Sequence, residues 1–195
     1  MTMRATGALI VATALVLGGC HRQEAQAAHS INDAMTQVME PTAQTIWDAM
    51  SKAYNDRGDA LDPAKLDEAD WQAIADASTR MMARARDMAD HAHGLTVAAA
   101  NEPVLGSQAA GAPSPAGPQW AAVGPRQIQA RVDAQPDLFA QKARVLADTA
   151  DQLHRAALSR NSRALYEHGS QLDEVCDSCH EPFWGTDEPP PFPKM

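Results

Sequence analysis

Wherever this chain is not interrupted by proline or glycine, its apolar residues recur at steps of three and four. That is the repeat of helices burying one face. Four segments carry it, and none shows the alternation of a half-buried strand. The first opens at Ser30, an N-cap residue, and puts Ile31, Met35, Val38, Thr42, Ile46 and Ala49 on one face. Pro41 interrupts it, so the helix either restarts with Pro41 in its first turn or continues with a kink that frees the Gln37 carbonyl. The second is expected to start with Asp62 as N-cap and Pro63 behind it. Its seam is Trp71, Ile74, Ser78, Met81, Ala85, Met88 and Ala92, with Gly94 as terminator. The third follows Pro136 and turns Phe139, Leu146, Thr149, Leu153 and Ala157 inward. After a short Arg160-Asn161 turn, the fourth runs through "SRALYEHGSQLDEVCDSCH" and spaces Leu165, Leu172 and Cys179 by sevens. Pro182 and the prolines at 189–191 are expected to stop it. These segments predict an all-α fold, an antiparallel four-helix bundle.

Between the second and third helices, residues 98–135 change character. The stretch "NEPVLGSQAAGAPSPAGPQWAAVGP" is too rich in proline and glycine to be one helix and reads as a long loop. Trp120 is a residue that can pin it to the domain, and a short helix is expected over 126–132. A net charge of −9 and a pI near 5.1 leave no basic track for nucleic acid; the acidity reads as solvated helix faces.

The amino-terminal residues belong to targeting. Arg4 precedes the apolar run "ALIVATALVL", which is short for a membrane span. The run ends in Leu17-Gly18-Gly19-Cys20, which resembles the lipobox of bacterial lipoproteins. By that resemblance residues 1–19 are a signal peptide, Cys20 is the lipidated first residue, and 20–29 is a tether. The domain is expected over 30–184, with a proline-rich tail at 185–195. His21 after Cys20, by resemblance to lipoprotein sorting, leans toward the outer membrane of a Gram-negative cell.

With Cys20 assigned to lipid, the remaining cysteines are Cys176 and Cys179, in "VCDSCH" with His180 directly after. A thioredoxin-like dithiol needs a strand before its CxxC, and none is expected. A structural zinc needs four ligands, and only the scattered His91, His93, His154 and His168 are on hand to complete a set. Haem c accounts for more. Cysteines at i and i+3 share one helix face, so both sulfurs reach the vinyl groups of a porphyrin edge, and the next residue carries its imidazole under the iron. One covalent haem, with His180 as proximal ligand, is the expectation.

The motif stands late, with fifteen residues after His180, so a sixth ligand is expected from upstream. Here the chain resembles the cytochrome c′ superfamily, the class II c-type cytochromes, whose CxxCH lies near the end of the last of four helices. The resemblance spans roughly residues 30–184 and rests on "CDSCHEPFW" and a methionine-bearing first helix. The family takes its distal residue from the first helix: methionine in low-spin electron carriers, a non-ligating apolar residue in five-coordinate gas-binding members. On this chain that position falls on Met35, with Met39 one turn further along. Family members often carry a basic residue soon after the haem histidine. Phe183-Trp184 stands there instead, and the 98–135 segment is longer than a compact bundle requires, which marks a divergent branch.

Several residues have a plainer reading. Methionine stripes are ordinarily adaptable core, and Met81 and Met88 are read that way. His91 and His93 are expected to be solvated at a helix end, and His168 lies on the haem-bearing helix itself. Packing is the first reading for Trp47, Trp71, Trp120 and Trp184, although Phe183 and Trp184 stand where the macrocycle edge would be. Distal ligation by Met35, by Met39, by a histidine or by no side chain stays open at this point. The expected function is single-electron transfer by a lipid-anchored periplasmic cytochrome, with redox proteins of the periplasm or membrane as partners and homodimerisation left open. The alternatives are a five-coordinate haem protein that binds NO or CO, and a structural lipoprotein without haem. No catalytic constellation points to an enzyme.

Overall fold

A computed structural model describes residues 30–98 and 123–185. The signal peptide 1–19, Cys20, the tether 20–29, Trp120 with most of the 98–135 loop, and the tail beyond Gly185 lie outside the described residues. The fold is all-α. Among the described residues the only β features are two isolated bridges, Ser30 to Thr96 and Tyr54 to Leu61. No described helix is long and apolar enough to cross a membrane.

The first segment resolves the Pro41 question in favour of continuation. Helix α1 (Ile31–Ala34) opens into a π turn at Met35–Met39 and carries on as α2 (Glu40–Ala53). Proline has no N–H for the Gln37 carbonyl, and its ring crowds that group, so the helix widens just upstream. The wide turn is visible in the Glu40 N–H, which donates to the Met35 carbonyl five residues back. Hydroxyls serve carbonyls around it: Thr36 Oγ1 donates to Asn32 O at 2.9 Å, and Thr42 Oγ1 reaches Val38 O at 2.6 Å and Met39 O at 3.0 Å.

Helix α3 (Glu68–Asp90) starts later than expected. Asp62 and Pro63 do form a helical start, but only of the 3-10 turn Pro63–Lys65. Leu66 then adopts an extended conformation and is buried, and Asp67 with Asp70 makes a reciprocal capping box. Two satisfied donors at Asp67 outweigh one at Asp62. The predicted α3 seam is buried throughout, from Trp71 to Ala92. Helix α3 ends at Asp90, and Gly94 closes a further 3-10 turn, Ala92–Gly94.

The short helix expected over 126–132 is present as α4 (Pro125–Ala134), slightly longer at both ends, and buries Ile128 and Val132. Helix α5 (Pro136–Leu158) packs along α3, where alanines such as Ala85 and Ala147 keep both seams low. Thr149, expected inward, is half-buried, and Ala150 is the buried residue beside it. The turn after α5 places Arg160 at φ 49, and Asn161 caps α6 (Ser162–Ser170).

The fourth segment is two helices rather than one. Gln171 separates α6 from α7 (Leu172–Trp184), beyond Gly169 and Ser170, whose hydroxyl donates back to Tyr166 O at 2.7 Å. Pro182 does not stop α7, which continues to Trp184. A proline this close to the end removes a single helical bond, and Gly185 closes the helix with N–H to Glu181 O at 3.0 Å. Gly185 extends away there with ψ 153, and a Cβ on it would sit 2.3 Å from that same oxygen.

Helix α4 holds two distant parts together. Gln129 Oε1 accepts from Val97 N at 2.7 Å, and its Nε2 donates to Leu95 O at 3.0 Å. Thr96 O and Val97 O in turn accept from Ile31 N and Asn32 N, the otherwise orphaned donors of α1. Two residues on, Arg131 Nη1 donates to Phe183 O at 3.2 Å and Gly185 O at 2.6 Å, placing a positive charge at the negative end of α7.

Candidate functional site

The first helical segment and α7 both line a cavity of about 360 Å³, a volume ordinary for a small-molecule or cofactor site. Asn32, Met35, Met39, Glu40, Ala43 and Trp47 come from one side, and Cys176, Cys179, His180 and Trp184 from α7. Met81 and Met88 of α3, with Phe139, Ala143 and Leu146 of α5, supply the rest together with Val97. Nearly every group is apolar or soft. That matches a large flat hydrophobe better than a hydrated ion.

Helical spacing puts Cys176 and Cys179 one turn apart on the same face of α7, and both are free thiols. Burial pushes the Cys176 thiol up to about 12, with Cys179, Asp173 and Asp177 adding to it. Burial pushes Cys179 up to about 11, partly offset by the Lys142 ammonium. Both therefore stay protonated at neutral pH and are poor nucleophiles. Burial also lowers His180, against the opposing pull of Asp177, and keeps the imidazole neutral. A neutral ring leaves a nitrogen lone pair free to ligate a metal. Trp184 steadies the ring from one turn away, at 5.6 Å between centroids and a 56° tilt.

The arrangement brings together the residues the sequence singles out and separates others. Met35 and Met39 both line the cavity. Met81 and Met88 are core, as expected, and they are also cavity wall. Trp184 lines the cavity, whereas Phe183 turns away, is fully buried, and packs edge-on against Phe139 at 5.4 Å. Among the described residues His180 is the one histidine in the lining. His91 contacts Asp87, His93 contacts Asp137, and His154 bonds Thr79 and the Ala75 carbonyl. His168 is half-buried on α6, outside the lining. No group of three or more His, Cys, Asp or Glu side chains among the described residues is placed to hold a metal ion.

Sequence reasoning passed over Asn32 and Val97. Asn32 carries a helix-start pattern that says nothing of a cavity, and Val97 belongs to a non-periodic stretch. The donor set suits haem c: two thiols a turn apart, an adjacent neutral imidazole, and thioethers in the lining of the same cavity. Comparison with protein-family models, with curated proteins and with solved structures finds no match to this chain.

Proposed function

We propose that this chain is a lipid-anchored periplasmic c-type cytochrome that carries single electrons. In this reading its main helices form an antiparallel four-helix bundle of the class II kind. Cys176 and Cys179 hold one haem covalently, His180 is the proximal ligand and Met35 the distal one. The observation that carries the reading is that both thiols, His180 and Met35 line one apolar cavity. Haem bound there supplies a one-electron Fe(III)/Fe(II) couple.

The chain's own groups do the rest. The cavity wall excludes water, which keeps the imidazole neutral and the local dielectric low. The Met35 thioether, if it held the iron, would favour the reduced state and leave no open position for diatomic ligands. Trp184 limits rotation of the His180 ring. Asp173, Glu174, Asp177 and Glu181 leave the exposed side of α7 acidic, which suits redox partners with a basic docking face. Lipid on Cys20 would keep the domain beside a membrane.

Optical spectra of the purified full chain, oxidised, reduced and reduced under CO, test this. Expected are a haem that stays attached on acid denaturation, a low-spin spectrum, a methionine–ferric charge-transfer band and indifference to CO. A high-spin haem that binds CO would replace electron transfer with the gas-binding reading. A chain with no covalent haem would end both.

A further inference from the structure

We infer that Met39 is a second axial thioether, interchangeable with Met35 through the π turn that carries both. The inference rests on the proposed haem site and adds to it a distal side with two alternative ligands. Met35 and Met39 are the first and last residues of the same five-residue π turn, and both line the cavity that His180 lines from α7. Met39 is the more buried of the two, at 6 % exposure, while Met35 is half-buried.

A π turn is an α-helix carrying one surplus residue, and the surplus can migrate along the helix by exchanging five-residue bonds for four-residue ones. Each step re-aims the side chains it passes. At its far end the turn is bounded by Pro41, which offers no N–H to either pattern. The Thr42 hydroxyl already serves two carbonyls at the far end of the turn, Val38 O and Met39 O. Met81 and Met88 have no such freedom. They sit in the regular helix α3, are 1 % and 2 % exposed, and act as wall.

The test uses the haem-loaded full chain with leucine, which keeps side-chain volume but cannot ligate iron. Met35→Leu and Met39→Leu are each expected to remain low-spin, to keep a methionine–ferric band at a shifted wavelength, and to refuse CO. The Met35→Leu/Met39→Leu pair is expected to become high-spin and bind CO stoichiometrically. Adding Pro41→Ala to Met35→Leu, which restores a regular helix, is expected to abolish the rescue by Met39. A high-spin Met35→Leu protein would overturn the inference and leave Met35 as sole ligand. A high-spin Met39→Leu protein would overturn it in favour of Met39 alone, and a low-spin double variant would place the ligand elsewhere. If the unaltered protein is itself high-spin or lacks covalent haem, the haem reading fails first, and the inference with it.

Discussion

Gly169 of α6 faces Met50 of α2, and substitution there sets two opposite effects against each other. Glycine within a helix costs about 1 kcal/mol relative to alanine, so Gly169→Ala on an open face would stabilise. An added Cβ would, however, stand 2.1 Å from Met50 Sδ and 2.7 Å from its Cε, well inside contact distance. Met50 is 2 % exposed, so its thioether has no solvent to swing into and must displace neighbours. Overfilling a packed core costs roughly 1–3 kcal/mol, which exceeds the propensity gain. The net expectation is a loss of about 1 kcal/mol, or a Tm lower by about 2–4 °C for a chain of this size. Thermal unfolding followed by far-ultraviolet circular dichroism measures it. In a Met50→Ala background the same change fills vacated space, and its sign should reverse, a coupling that a double-mutant cycle isolates. A Tm that rises on Gly169→Ala alone would refute the close approach of α2 and α6.

Arg131→Gln removes the charge that serves the carbonyls of Phe183 and Gly185. It should cost about 1–2 kcal/mol and speed hydrogen exchange at the end of α7 well before α3; uniform exchange along the chain would contradict this. Asp70 is held below the usual carboxylate range, chiefly by its hydrogen bond with Lys52 and then by the Asp67 N–H. A depressed folded pKa gives stability that is present above the unfolded value near ~3.9 and is lost as pH falls through the folded one. Asp70→Asn should therefore flatten the acid limb of the stability curve in that window, and parallel curves for the two proteins would count against the Lys52 pairing.

Which features were legible in the sequence depends on the physics of each signal. Periodicity reports which way a residue faces, so the α3 seam from Trp71 to Ala92 is readable residue by residue. It does not report what lies across the interior, which is why Met81 and Met88 read as core and not as the wall of a cavity. The start of α3 carries two competing caps, and the reciprocal box at Asp67 with Asp70, together with the burial of Leu66, decides between them. Pro182 carries a stop signal whose force depends on how many helical bonds remain to break, and near Trp184 few do. Pro41 leaves two outcomes open, and neither is a π turn. The CxxCH motif is legible because its chemistry is local. Arg131 is not, since its partners are more than fifty residues away.

The grip of α4 on both Leu95–Val97 and Phe183–Gly185 bears on how this domain breathes. The wall that carries Met35 is bonded through Thr96 and Val97 to the same short helix that secures the wall carrying His180. Fluctuations that part the two sides must therefore break at least one of these two sets of bonds. Opening of the cavity is thus coupled to the hold of α4 on one side or the other, which makes this short helix the latch of the domain.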